Sequence, residues 1–406
     1  MINKQNKLPA VLKAAGLLFI STFLLSCSGE KEHSAGNESI VTSLPDSRAY
    51  YISGTVVGPP KGLKVYLNYL GDSTGKAADS TMVNEKGGFD MSGKVPEYGM
   101  YTLKLTGREK PEYLMFPLDS EDVHVEFAGS DRECEPYAPA KPTGKETANY
   151  AKLYNWYIDF SKQEDKMLSL FEAADALPDK NAAQKRWKEL RLRSDSLENT
   201  FYPRLKNEII ANPLSPVSVY FTSQLSWGTN IPFITELSEK IKAAPVHNTE
   251  AKVFLRKAAL LLAAQPGKPA PELSLRTPRG KPWKMSSIRG KVTVLDFWAS
   301  WCGPCREQSP KMVALYNKYR GNKNFAMVGI SLDVDSAMWV NAIAKDRLTW
   351  LQVSDLDPMN NFGKVSFTYA LEGVPTVFLI NEKGIIVGRD YYENLDAKIE
   401  ELLAKK

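Results

Sequence analysis

The chain has 406 residues, 43% of them hydrophobic and 24% charged, which is enough length and apolar content for two or three separate cores. Its formal charge of +5 falls to +2 once the three lysines ahead of residue 27 are set aside, and that is no footprint for nucleic acid. Apart from Cys302 and Cys305, the two remaining cysteines and three histidines show no ligand spacing, so no four-ligand zinc site is formed and no bound cofactor is expected.

Residues 1–26 read as a targeting leader. Lys4, Lys7 and Lys13 precede an uncharged apolar run, Ala14 to Leu25, that is too short to span a bilayer comfortably. The run ends in Leu24-Leu25-Ser26-Cys27, which resembles a bacterial lipobox. That resemblance implies cleavage ahead of Cys27 and attachment of lipid to it; the alternative is an ordinary signal peptide with a chance cysteine. Export places the rest of the chain in an oxidising compartment, and acyl chains hold its N-terminus on a membrane. Residues 27–47 are rich in Ser, Glu, Gly and Asn without periodicity and read as a flexible tether.

From 48 to 132 the pattern has period two. Leu63, Val65, Leu67 and Tyr69 alternate with Lys64, Tyr66 and Asn68; Tyr101, Leu103 and Leu105 alternate with Thr102 and Lys104. Val123, Val125 and Phe127 do the same, with His124 and Glu126 on the opposite, solvent-facing side. Asn84-Glu85-Lys86-Gly87-Gly88 is a turn between two further strands. This predicts a small β-sandwich, similar to a β module of unknown function found in Gram-negative lipoproteins. Cys134 lies among acidic residues, Asp131, Glu133 and Glu135, which raise a thiol pKa, and it reads as inert.

Between 145 and 265 the period becomes helical. Tyr150, Leu153, Tyr154, Tyr157 and Phe160 form one apolar stripe, and Trp187, Leu190, Ser194, Leu197 and Phe201 another, with lysines, arginines and glutamates on the remaining faces. Pro203 and Pro213 are expected to kink or end helices. The segment is predicted to be a helical connector whose stripes are core, and Pro266 to Pro271 stiffens the entry to the last domain.

Residues 266–406 hold the chemistry. The unbroken β-branched run from Lys291 to Trp298 is that of a strand buried on both faces. From Arg306 through Met312, Leu315 and Tyr319 the apolar residues recur at helical intervals, so Cys302 and Cys305 sit where a strand turns into a helix. There Cys302 meets unpaired N–H groups and the positive end of the helix dipole, which favour a thiolate. Cys305, one turn on and further inside, reaches the same sulfur and suits the resolving role. Phe325 to Leu332 reads as a strand, Ser336 to Asp346 as a crossover helix, Val377–Ile380 and Ile385–Val387 as an antiparallel pair, and Leu395 to Leu403 as a closing helix.

Trp301-Cys302-Gly303-Pro304-Cys305 resembles the active-site signature of the thioredoxin superfamily. Asp296 matches a buried carboxylate that assists proton transfer at the resolving thiol, Pro310 the proline of the active-site helix, and Val374-Pro375-Thr376 the segment whose cis-proline faces the disulfide. The likeness runs from about Gly267 to the C-terminus. The segment Gly267 to Pro271 and the long stretch from Leu332 to Val374 resemble the envelope-anchored TlpA and ResA branch. With the periodicities read above, this makes a multidomain chain of an N-terminal β-sandwich, a helical middle segment and, as the resemblance implies, a C-terminal α/β thioredoxin fold. Its catalytic residues are then Cys302, Cys305 and Asp296, with Trp301, Gly303, Pro304, Val374 and Pro375 contacting substrate.

The activity so implied is thiol-disulfide exchange at the outer side of a bacterial membrane. Its partners are disulfide-containing envelope proteins and a membrane thiol carrier as electron donor. Gly303-Pro304 resembles reducing members of the family, and cytochrome c maturation is one family role. Two other classes compete. A peroxidase of the peroxiredoxin type has Thr three residues before its cysteine, where this chain has Ala299. A ligand-binding lipoprotein would use the β and helical segments and keep the redox domain as an accessory.

Overall fold

A computed structural model describes residues 48–58, 62–70, 76–119, 122–127, 144–245, 248–357, 363–389 and 394–405. The leader, Cys27, the tether 27–47 and Cys134 lie outside the described residues.

The alternating segments fold as seven strands: β1 (Arg48–Val56), β2 (Lys64–Tyr69), β3 (Asp79–Met82), β4 (Gly88–Val95), β5 (Gly99–Thr106), β6 (Glu112–Leu118) and β7 (Val123–Phe127). They make two sheets, ordered β4-β1-β7 and β3-β2-β5-β6; β1 is antiparallel to β4 and parallel to β7, and the second sheet is antiparallel throughout. The inward side chains of both sheets, among them Ile52, Val65, Leu67, Leu103, Phe116 and Val125, form one apolar core, as in a sandwich. In β7 Val123, Val125 and Phe127 are buried while His124 and Glu126 face out, and His124 Nδ1 lies 3.0 Å from Ser53 Oγ. The Asn84–Gly88 turn passes from one sheet to the other, since β3 and β4 belong to different sheets.

The helical stretch begins with two long helices, α1 (Lys145–Asp175) and α2 (Lys180–Ala211), followed by α3 (Pro216–Phe221), α4 (Ile231–Lys242) and α5 (Thr249–Ala263). Stacking fastens the first two: Phe160 lies on Phe201 with centroids 4.1 Å apart, and Phe171 packs on Trp187, whose Nε1–H donates to Asp175 at 2.7 Å. Pro203 sits inside α2, which continues to Ala211, and the helix stops just before Pro213. Met100, Thr102 and Met115, which point away from the sandwich core, are also buried because α1 packs on β6 and α3 on β5.

The helical middle segment is divided between two compact units. The chain divides into one compact unit running to Leu225 with Glu239–Phe254, and a second made of Ser226–Ser238 with Leu255–Lys406. The boundary at 265/266 read from the sequence falls inside the second unit, because Ala264 is fully buried in the same core as Leu273, Leu275, Leu295 and Phe297.

In the second unit follow β8 (Ser274–Arg276), β9 (Pro282–Lys284), β10 (Val292–Trp298), α6 (Gly303–Tyr319), β11 (Phe325–Ser331), α7 (Ser336–Lys345), β12 (Leu351–Ser354), α8 (Lys364–Thr368), β13 (Thr376–Ile380), β14 (Ile386–Arg389) and α9 (Leu395–Ala404). The sheet order is β14-β13-β10-β11-β12-β8-β9, with β10, β11 and β12 mutually parallel and the remaining pairs antiparallel. All seven residues of β10 are buried, which explains its continuous apolar run. On one face Val292 and Val294 meet Met312 and Tyr319 of α6, Trp339 of α7 and Ile399 of α9. On the other, Leu295 and Phe297 meet Phe378, Tyr369, Leu275 and Ala264. The period of two puts Asp296 on the α6 face. No helix among the described residues is long and apolar enough to cross a membrane.

Candidate redox active site

Strand β10 ends at Trp298, and the chain turns through Ala299, Ser300 and Trp301 into Cys302, the N-cap of α6. Pro304 stands in the first helical turn, where its missing N–H costs nothing because that position has no intrahelical acceptor. Cys302 and Cys305 are joined by a disulfide of 2.03 Å. The two residues are about equally buried, 4% and 5% exposed, so exposure does not tell attacker from resolver. Their hydrogen bonding differs: Cys302 Sγ accepts the Cys305 N–H at 3.1 Å and lies 3.6 Å from the Val374 carbonyl oxygen. An amide aimed at that sulfur from the first turn of a helix favours negative charge on it. Trp301 is 46% exposed, and Gly303 and Pro304 are exposed with it, a surface that a disulfide must approach. Ala299, fully buried, carries no hydroxyl toward the thiol.

Val374 and Pro375 are 72 and more residues from Cys302 in sequence, and the peptide bond between them is cis. They come to the disulfide because β13 pairs with β10: Thr376 stands opposite Phe297, so the residues just ahead of β13 lie beside the residues just after β10. Thr376 Oγ1 donates to Gly373 O at 2.9 Å and closes the loop.

Asp296 and Cys305 line a common cavity with Trp298, Ser309, Met312 and Pro375. Its volume of about 10 Å³ is the room one water needs. No donor among the described residues hydrogen-bonds the Asp296 carboxylate, and burial alone pushes its pKa up to about 7. A carboxylate at that pKa beside a buried thiol is matched to accepting a proton near neutral pH.

A second polar network was not visible in the sequence. Asp333, two residues past β11 and 2% exposed, accepts the Ser300 N–H at 2.9 Å, the Ser300 hydroxyl at 2.5 Å and the Ser331 hydroxyl at 2.6 Å. Arg306, directly after Cys305, makes a forked pair with Asp346 beyond the end of α7 and donates to Ser300 O at 3.1 Å. Ser309 donates to Cys305 O at 3.2 Å and to Asp346 at 3.3 Å. The motif is thus held at Ser300 on one side and at Cys305–Ser309 on the other. The available signal was positional, since sites on parallel strands gather at their carboxyl ends and Asp333 follows such an end. One strand further out, Trp298 Nε1–H donates to Gln352 Oε1 at 3.0 Å across Gly329, where a Cβ would meet that oxygen at 2.1 Å.

A mixed sheet with a Cys-x-x-Cys disulfide at the strand-to-helix turn, facing a cis-proline that opens the adjacent antiparallel strand, defines the thioredoxin class. The sequence comparisons agree. The Redoxin family matches residues 265–403, and a domain of unknown function, DUF4369, matches 50–150. The thioredoxin-like protein YneN of Bacillus subtilis is 32% identical over 123 residues, 30% of this chain and 69% of that protein. The thiol-disulfide oxidoreductase ResA of Bacillus thuringiensis is 29% identical over 139 residues, 34% of this chain and 77% of that protein. A solved thiol-disulfide oxidoreductase from Bacteroides fragilis is 39% identical and covers 33% of this chain and 99% of its own, with a TM-score of 0.32. The chain belongs to the thioredoxin superfamily, in its TlpA- and ResA-like branch, and is a thiol-disulfide oxidoreductase.

Proposed function

We propose that the chain is a lipid-anchored reductase of disulfides in bacterial envelope proteins, with Cys302 as nucleophile, Cys305 as resolving thiol and Asp296 as proton acceptor. The observation that carries this reading is the Cys302 sulfur at the N-cap of α6, receiving the Cys305 amide and lying against Val374 O. In the reduced protein the Cys302 thiolate attacks one sulfur of a substrate disulfide. A mixed disulfide forms, and the second substrate sulfur leaves as a thiolate that takes a proton from water. The Cys305 thiol then gives its proton to Asp296 and attacks Cys302 Sγ, which expels the substrate sulfur first attacked as a thiolate that takes a proton from water. The substrate has gained two electrons and the chain has returned to the Cys302–Cys305 disulfide described above.

During the mixed disulfide the substrate backbone rests beside Val374 and Pro375, flanked by Trp301, Gly303 and Pro304. Re-reduction takes two electrons from a membrane thiol carrier. The leader pattern and Cys27 support export and anchoring, and the Gly303-Pro304 pair, shared with thioredoxin at about −270 mV, supports a reducing role.

Insulin reduction by the full chain tests the chemistry. Wild type turns over, Cys302→Ser does not, and Cys305→Ser accumulates mixed disulfides; turnover surviving in Cys302→Ser overturns the assignment. In cells, Cys305→Ser is expected to capture envelope proteins, which can then be identified. Cys27→Ser is expected to abolish lipid labelling while in vitro redox activity persists, and labelling that persists removes the anchor.

A further inference from the structure

Residues Ser226–Ser238 lie outside the Redoxin match yet belong to the same compact unit as the catalytic sheet. Their first residues make a braced turn. Trp227 is buried, with Lys257 Nζ 4.1 Å above its ring. Thr229 Oγ1 and Asn230 Nδ2 both donate to Ser226 O, at 3.1 and 2.7 Å, and Asn230 N–H donates to Trp227 O at 3.1 Å. With the indole as anchor, the residues on either side of it direct their donors at one carboxylate. Ser226 Oγ–H reaches Glu372 Oε2 at 2.9 Å, and Gly228 N–H reaches Glu372 Oε1 at 2.9 Å. Both oxygens of Glu372 are thereby fixed, as in other two-point carboxylate contacts.

Glu372 stands two residues before Val374, whose carbonyl oxygen lies 3.6 Å from Cys302 Sγ, and three before Pro375. The segment is fixed at its start, where Arg389 Nη2 donates to Ala370 O at 2.9 Å, and at its end, where Thr376 holds Gly373 O. Between these points Gly373 has no side chain to hold it and open space around it. There the Glu372 side chain ties the segment to another element.

We propose that the Ser226–Gly228 turn is a positioning element for the substrate-binding loop, holding Glu372 and so setting where Val374 and Pro375 meet the backbone of a protein disulfide presented to Cys302. This rests on the reading above that substrate docks beside Val374–Pro375. A segment ahead of the thioredoxin-like core thus takes part in recognition. It acts on extended protein substrates, which lie along the loop, and not on small thiol reagents, which touch Cys302 alone.

The test uses the full chain with Glu372→Ala, Ser226→Ala and the double variant. Glu372→Ala is expected to raise KM for insulin disulfides by about three- to tenfold, the range for losing exposed charge-assisted hydrogen bonds, with kcat and the rate of Cys302 alkylation by iodoacetamide within about twofold of wild type. Because Ser226 acts through Glu372, the double variant is expected to be no worse than Glu372→Ala. An unchanged KM, additive effects in the double variant, or a fall in alkylation alongside the rise in KM overturns the proposal. A second readout needs no turnover: in the oxidised chain the Gly373 and Val374 amides are expected to exchange hydrogen about fivefold or more faster in Glu372→Ala. Unchanged exchange overturns the tether by itself. If wild type fails to reduce insulin, the proposed function falls, and the exchange measurement still decides the tether.

Discussion

Two carboxylates flank the redox motif, and their surroundings are opposite. Asp333 and Asp296 are both nearly inaccessible, and they stand beyond and within neighbouring parallel strands, β11 and β10. Asp333 is saturated by the Ser300 amide and by the hydroxyls of Ser300 and Ser331. Asp296 has no donor among the described residues, only a cavity that it shares with Cys305. A buried carboxylate that is fully hydrogen-bonded holds a backbone in place, whereas one left unsatisfied next to a thiol is ready to take a proton. On the proposed mechanism, the motif is built on the first kind and is operated by the second.

The sharpest way to break this contrast is Asp296→Asn. In the folded protein Asp296 holds its proton up to about pH 7, while in the unfolded chain it ionises from its ordinary value of 3.8. Between those values the folded state binds the extra proton, so stability falls as pH rises through the window and is level above it. The size is of the order of 4 kcal/mol. Urea midpoints measured from pH 3 to 9 are expected to show that fall in wild type and to lose it in Asp296→Asn, which becomes the more stable protein above pH 7. The same variant is expected to slow release of the mixed disulfide near neutral pH, read by stopped-flow quenching, since Cys305 has lost its proton acceptor. A wild-type stability that stays flat from pH 4 to 7 contradicts the assigned protonation.

Next in size is Asp333→Ala. It strands the Ser300 amide and the Ser300 and Ser331 hydroxyls, and a loss of about 3 kcal/mol is expected by denaturant unfolding. The pH dependence of mixed-disulfide release is expected to keep its wild-type shape. A shifted profile would mean that Asp333, too, exchanges protons with the site.

A smaller effect is expected from Arg306→Lys. The ammonium keeps the charge, but it loses the forked contact with Asp346 and the bond to Ser300 O, for about 1 kcal/mol in unfolding experiments. Ser309→Ala is the mildest, below about 1 kcal/mol, because Asp346 keeps Arg306 as partner and Cys305 O loses a single hydroxyl. If Ser309→Ala proves as damaging as Asp333→Ala, the two sides of the motif are not held independently.

Much of this was readable from residue order. The run from Val292 to Trp298 and the spacing of Met312 and Tyr319 place a buried strand and a helix on either side of the cysteines, and three-residue spacing brings the two sulfurs together. Alternation in β7 and β5 marks the sandwich faces, down to His124 and Glu126 pointing outward. Period two also groups Asp296 with Val292 and Val294, while the helices that cover that face are set by the fold. These features depend on contacts within one strand or one helical turn, where spacing and geometry are the same thing.

What the order of residues left open depends on which elements become neighbours. Asp333, Asp346 and Gln352 reach the site from 33 to 54 positions away through the pairing of β10 with β11 and β12 and the packing of α7, and nothing in their local pattern separates them from solvated carboxylates and amides. The β8–β9 hairpin, with strands of three residues, is too short to show a period. The helical stretch reads as one amphipathic segment, yet its residues are divided between two cores. A stripe of apolar residues states that a face will be covered and not by what. The turn at Ser226–Gly228 and its hold on Glu372, 144 residues later, arise for the same reason: only the folded chain brings a braced pair of donors to a carboxylate beside the loop that faces the disulfide.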